Sequence, residues 1–125
     1  MSHNIASIEV TDGPAIIPIQ PYIGDTLKGV ISVFKENGTT LDVSADTFIY
    51  TLYNSTNNAL HTLTLGSGIE LVGDGIEWRI EASDTADFVR NDKGSYSLKW
   101  IRDDNGDEKT VLAGSAIPRK FVPNT

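Results

Sequence analysis

Apolar and charged residues alternate without a break through Ile76-Glu77-Trp78-Arg79-Ile80-Glu81. Further on, Tyr96, Leu98 and Trp100 alternate with Ser95, Ser97 and Lys99. Alternation with period two sends one set of side chains to a buried face and the other to water, which marks a half-buried β-strand. Asp103-Asp104-Asn105-Gly106-Asp107 separates the Trp100 run from Thr110-Val111-Leu112-Ala113-Gly114. An Asn-Gly pair between two such runs is a strong hairpin signal.

The same pattern extends upstream. Leu27 to Phe34 reads as a strand, and Glu36-Asn37-Gly38-Thr39 as a turn. Leu41-Asp42-Val43-Ser44 leads into Thr47 to Tyr53, a strand rich in β-branched and aromatic residues. Leu60 to Leu65 and Ile69-Glu70-Leu71 follow, separated by Gly66-Ser67-Gly68. Ser83 to Phe88 reads as one helical turn with Ser83 as N-cap and acidic residues behind it. Pro118 and Pro123 end the ordered pattern. About seven short strands, with turn signals between them and no long helical period, predict an all-β fold. The expected architecture is a single Ig-like β-sandwich of antiparallel strands, over residues 22–125. The Cys–Trp–Cys pattern of immunoglobulins is absent, so the likeness is one of architecture alone.

Residues 1–21 differ. Ile5, Ile8, Val10, Ile16, Ile17 and Ile19 are mixed with Pro14, Pro18 and Pro21. Proline removes ladder donors, so an extended arm or edge strand is expected here. Its isoleucines need a covering surface, either the domain's own body or a neighbouring subunit. Ile16, Ile17, Ile19 and Tyr22 are the candidate partner-binding residues, because an extended segment can add to a partner's sheet. On this reading, deleting residues 1–21 leaves a folded domain that no longer assembles.

Composition narrows the choice of partners. The chain has 125 residues and a net charge of −7, with a pI of about 4.6. Such a balance disfavours nucleic acid, whose phosphates need a basic patch, and also disfavours anionic lipid. There is no cysteine, so the core has to hold without disulfides. Met1-Ser2-His3-Asn4 lacks the features of a signal peptide, and no run is long enough for a membrane span. The chain is expected to be made and kept in an aqueous compartment.

The motifs that carry chemistry are weak. Asp103, Asn105 and Asp107 have the spacing that opens a calcium loop, but an EF-hand needs Gly and Glu where Glu108 and Gly114 stand. An exposed hairpin tip is the expected role. His61 shares the parity of Leu63 and Leu65 and has no sequence partner for triad chemistry. Gly24-Asp25, Gly66-Ser67-Gly68 and Gly73-Asp74-Gly75 open no helix after a strand, so they are turns rather than phosphate loops. No catalytic residue, metal or cofactor is expected. Phe48, Tyr50, Trp78, Tyr96 and Trp100 suggest a sugar-stacking platform, but Trp78, Tyr96 and Trp100 lie on apolar parity, where core burial is expected. The exposed candidates for recognition are the Asn54–Asn58 loop, the 91–94 turn and the 103–107 tip.

One succession of motifs carries a resemblance. Gly24-Asp25-Thr26 precedes the first body strand, and Leu41-Asp42-Val43-Ser44 precedes Phe48, Tyr50 and Leu52. Leu63-Thr64-Leu65-Gly66-Ser67-Gly68-Ile69 comes next, followed by Ile80-Glu81-Ala82-Ser83-Asp84-Thr85-Ala86. Gly94-Ser95-Tyr96-Ser97-Leu98 and Lys109-Thr110-Val111-Leu112-Ala113-Gly114 close the series. This order resembles the small Ig-like structural domains of tailed bacteriophages. It is similar to the N-terminal domain of baseplate upper proteins and to head or neck proteins that anchor fibres or spikes. The resemblance covers roughly residues 22–122 and transfers no catalytic residue.

It implies a virion protein synthesised in the host bacterial cytoplasm. Such a protein docks on capsid, neck or baseplate proteins and connects fibres, in several copies of a symmetric assembly. The alternative expectation is a carbohydrate-binding module for a host-surface glycan, with two or three exposed aromatics on one flat face and Tyr22 or Tyr53 among them.

Overall fold

The structure, a computed structural model, describes residues 2–120. Pro123 and the end of the expected domain lie outside the described residues. Three short strands come first: β1 (Ser2–Ile5), β2 (Ile8–Glu9) and β3 (Ala15–Ile16). They are followed by β4 (Leu27–Ile31), β5 (Phe34–Glu36), β6 (Thr39–Thr40) and β7 (Thr47–Tyr53). Next come β8 (Ala59–Leu65), β9 (Gly68–Val72) and β10 (Gly75–Ile80). A single helical turn, α1 (Ala82–Thr85), precedes β11 (Gly94–Ile101) and β12 (Glu108–Ala116).

Nine of these strands form one curled sheet in the order β1-β4-β10-β9-β8-β7-β11-β12-β3. A small second sheet holds β2, β5 and β6. The ladder between β8 and β9 has two residue pairs, Thr64↔Gly68 and Leu65↔Ile69. At that corner the sheet bends, and side chains from its two halves meet. Tyr50 of β7 stacks on Trp78 of β10 with ring centroids 5.8 Å apart. Tyr96 lies 5.6 Å from Tyr50, and Phe34 packs between Phe48 and Trp100 at 5.3 and 4.8 Å. These separations fall within the range of favourable aromatic pairs.

Alternation decides which residues enter this core. Phe48, Tyr50 and Leu52 of β7 are buried, as are Trp78 and Ile80 of β10. Tyr96, Leu98 and Trp100 of β11 are buried with them, so the aromatics assigned to the core from their parity are core. Register adds one steric requirement. Trp78 pairs with Gly29 on β4, and a Cβ at Gly29 would lie 2.2 Å from the Trp78 Cζ2 atom. The indole therefore lies flat on a backbone that only glycine provides. Trp100 is fully buried, yet its Nε1 donates to Asp46 at 2.7 Å, so the burial strands no donor.

Two local expectations change. The expected strand Leu27 to Phe34 is two strands. It breaks after Ile31, where the Ser32 amide donates to the Ile5 carbonyl, and β5 then pairs with β2 and β6 in the second sheet. The helical turn begins at Ala82 rather than after Ser83. Glu81 occupies the cap position without a side-chain bond. Its buried member is Thr85, whose Oγ1 accepts from the Gly24 amide at 3.0 Å and lies 2.8 Å from the Asp25 carbonyl. One hydroxyl thus fixes the turn that leads into β4. Between β6 and β7, Leu41–Ser44 leads into a turn at Ser44 and Ala45. The Ser44 amide donates to Asp42 Oδ1 at 3.0 Å, and bonding to Ser44 holds the Asp42 carboxyl below its usual range.

The N-terminal residues lie along their own domain. β1 pairs with β4, β2 with β5 and β3 with β12, all in parallel. A segment of about twenty residues thereby supplies both outer edges of the nine-stranded sheet.

Candidate interaction surface

Beyond β3 the chain continues beside β12. Ile17 and Ile19 donate to the Ala113 and Ser115 carbonyls at 2.9 and 2.8 Å. Ile117 and Arg119 return bonds to the Ile19 and Pro21 carbonyls at 3.2 and 2.8 Å. Odd-numbered residues thus turn their backbone groups to β12, and alternation turns those of Ile16, Pro18 and Gln20 outward. The four residues expected to bind a partner divide accordingly. Ile16 is 68% exposed and Tyr22 38% exposed. Ile17 is half-buried, and its carbonyl accepts from the Tyr96 hydroxyl at 2.5 Å. Burial pushes the Tyr96 phenol up to about 12. Ile19 is 2% exposed, a core residue of its own chain.

Two consequences follow for the arm. Its isoleucines at positions 8 and 19 are covered by the domain's own body. Removing residues 1–21 would therefore take two side chains out of the core. Pro18 also stands where an outward donor would be needed, which blunts this edge against strand addition. What remains for a partner is the side-chain line of Ile16 and Tyr22. Val89, which the sequence reading did not single out, is 65% exposed in the segment after α1. It lies in a polar stretch with no apolar periodicity around it, so nothing in the sequence marks it.

The polar candidates are occupied by local bonding. Asn105 Oδ1 accepts from the Asp107 amide at 2.9 Å, and Gly106 takes a φ of +72° at the tip of the β11–β12 hairpin. Arg102 bonds Glu36 at 3.0 Å and Asp104 at 2.9 Å, with its guanidinium 5.7 Å from the Trp100 ring centroid. This fork ties the hairpin base to β5, and beside it opens a cleft of about 390 Å³ that includes Val10, Asn105 and Lys109. In the 54–58 loop, Asn54 Oδ1 accepts from the amides of Thr56 and Asn58, each at 3.0 Å. Asn91 in the 91–94 turn bonds Arg119 and donates its amide to the Pro118 carbonyl.

His61 Nε2 lies 3.8 Å from Asp84 Oδ2 across a shallow cleft that also holds Arg79 and Glu81. Among the described residues no group of three or more His, Cys, Asp or Glu side chains is placed to hold a metal ion. No helix among them is long and apolar enough to cross a membrane. The flat aromatic platform of a glycan site is not formed by Trp78, Tyr96, Trp100, Phe48 or Tyr50, all of which are at most 2% exposed.

The two outer faces of the curled sheet differ in charge. On β4, β10 and β9, Lys28 pairs across from Arg79 and Glu77 from Glu70, so four charged residues lie in adjacent positions. On β3, β12, β11, β7 and β8 one row runs Ile16, Ala113, Ser97, Thr51, Thr62. The next row holds Ser115, Ser95 and Tyr53, and a third holds Thr110, Lys99, Ile49 and Thr64. Lys99 is the one charged residue in these rows, in a chain with 17 Asp and Glu.

No protein-family model matches the chain, and no curated protein matches its sequence.

Proposed function

We propose that the chain is a structural docking domain of a tailed-bacteriophage particle, an Ig-like β-sandwich that attaches to one virion protein and connects another. The observation that carries this reading is the exposed apolar line of Ile16 and Tyr22 on a strand anchored by Ile19. Buried Ile19 makes the line a rigid mount, and rigid presentation lowers the entropic cost of association. The sandwich reading draws support from Tyr50 and Trp78, which meet from opposite halves of the sheet. Ig-like strand order is supported by the grouping β4-β10-β9 against β8-β7-β11-β12, with a parallel N-terminal strand on β12. The resemblance in motif order points to head, neck or baseplate, and to a location in the virion.

Particles purified from the phage that encodes this chain provide the test. Mass spectrometry should find the chain in them at fixed copy number. The Ile16→Asp and Tyr22→Ala variants should fold as the wild type does but be depleted from particles. Absence of the wild-type chain from purified particles would rule the reading out.

A further inference from the structure

We infer that Asn37 is a site of self-modification, where the chain converts its own side-chain amide to aspartate or isoaspartate with the Glu9 carboxylate as proton acceptor. The inference does not depend on what the chain docks on. An asparagine carboxamide and the next backbone nitrogen can close a five-membered ring, and glycine in the next position leaves that nitrogen unshielded. The sequence holds two such pairs, Asn37-Gly38 and Asn105-Gly106. Both are exposed, one in the β5–β6 turn and the other in the β11–β12 turn. Asn37 and Gly38 have φ of 52° and 77°, the left-handed pair that a two-residue turn between Glu36 and Thr39 requires.

What lies against the attacking nitrogen separates the two pairs. The Gly106 amide donates to the Arg102 carbonyl at 2.9 Å. A carbonyl cannot take up the proton that the nitrogen must lose, and ring closure there forfeits the bond. The Gly38 amide instead donates to Glu9 Oε1 at 3.3 Å. That oxygen belongs to a carboxylate, a base, and a long bond of this kind is usual before a general base acts. Glu9 is brought there by β2, where it lies opposite Lys35 of β5, and its own amide donates to Asp12 Oδ2 at 2.9 Å. The pairing of β2 with β5 thus sets a base beside one Asn-Gly pair and leaves the other without one.

The steps balance. The Gly38 nitrogen bonds to Asn37 Cγ as its proton passes to Glu9. The bond from Cγ to the side-chain nitrogen then breaks, Glu9 returns the proton, and ammonia leaves. Water opens the cyclic imide at either carbonyl. Opening at Cγ gives aspartate, and opening at the backbone carbonyl gives isoaspartate. Each product adds one negative charge, taking the chain from −7 to −8. Isoaspartate also adds a carbon to the main chain, so the two-residue turn no longer holds Glu36 opposite Thr39. β6 pairs with β5 alone, so the change frees β6 and loosens the small sheet in which β2 seats the buried Ile8.

Incubation of the full chain in neutral buffer, followed by peptide mass mapping over time, tests this. The peptide holding residue 37 should show amide-to-acid conversion about tenfold faster than the peptide holding residue 105, less than a base in a closed site supplies because water competes here. In denaturing urea the two sites should react at similar rates, because the difference belongs to the fold. Glu9→Gln keeps a hydrogen-bond acceptor and removes the base. It should slow residue 37 by about tenfold and leave residue 105 unchanged. Circular dichroism checks that this variant folds. Should it not fold, Glu9→Asp takes its place with the same slowing expected, because its shorter side chain draws the carboxylate back from Gly38. Equal rates at residues 37 and 105 in the folded chain overturn the inference. So does a rate at residue 37 that a folded Glu9 variant leaves unchanged.

Discussion

Replacing Gly29 by alanine puts a methyl group inside the space of the Trp78 indole. The added Cβ would lie 2.2 Å from Cζ2, 2.5 Å from Cε2 and 2.9 Å from Nε1. Carbon atoms settle at about 3.5–4.0 Å, so more than about 1 Å of movement is required. The ring has little room to move. Trp78 is 1% exposed and stacks on Tyr50 at an interplanar angle of 25°. Overpacking of this kind costs about 1–3 kcal/mol, and we take the upper half of that range because the overlap falls on rigid ring atoms. Removing a strand glycine returns about 0.5–1 kcal/mol. The net expectation is about 1–2.5 kcal/mol of destabilisation. At about 4 °C per kcal/mol for a chain of this length, Tm should fall by about 4–10 °C.

Calorimetry of Gly29→Ala measures the shift, and tryptophan fluorescence reports whether the indole has moved. Trp78→Phe supplies the control, because a smaller ring should tolerate the methyl group. In the double variant the two effects should couple by about 1 kcal/mol or more, as for residues in direct contact. A Tm for Gly29→Ala within about 1 °C of wild type, or strictly additive effects, would refute the steric account of this glycine.

Thr85→Ala should cost about 1–3 kcal/mol in urea unfolding, because the Gly24 amide and the Asp25 carbonyl lose the buried Thr85 hydroxyl, whereas Thr85→Ser should retain most of the stability. Truncation of residues 2–21 removes Ile8 and Ile19 from the core, at about 1.5–3 kcal/mol each, and should shift the urea midpoint sharply down. An unchanged midpoint would contradict the placement of the segment. Tyr96 ionises near 10.0 when unfolded and near 12 when folded, so its stabilising contribution is complete below pH 10 and fades as pH rises toward 12. Equilibrium unfolding across that interval should show the decline, which Tyr50, also pushed up by burial, should steepen. Pro18→Val should restore an outward N–H on the edge strand and raise light scattering on storage; scattering equal to wild type would mean that this edge was never exposed to strand addition.

Much of the body of the fold was legible in local pattern. β7 occupies the expected residues Thr47 to Tyr53, and the β11–β12 hairpin turns through Asn105-Gly106. Trp78, Tyr96 and Trp100 follow their parity into the core. The break between β4 and β5 was hidden because Leu27 to Phe34 has no glycine or proline at Ser32 to mark the change of sheet. The roles of the N-terminal isoleucines were hidden for another reason. Ile19 is buried and Ile16 exposed because of the register with β12, a partner distant in sequence. The same holds for the polar rows on the outer face of β12, β11, β7 and β8. Ser97, Thr51 and Thr62 form a row only once three separate strands are aligned, and no single window of sequence displays that row.

The parallel seam between residues 15–23 and β12 bears on how the chain is made. Ile19 leaves the ribosome about one hundred residues before Ala116, its bridge partner. Until β12 emerges, the isoleucines that close the sheet have no surface of their own to cover. Parallel pairing at such separation carries a large loop-closure entropy and is slow. Synthesis therefore runs ahead of closure, and the nascent chain displays an unpaired apolar segment through most of translation. Crowded copies on one messenger would meet in that open state, with the chance to exchange strands before either has sealed its own seam.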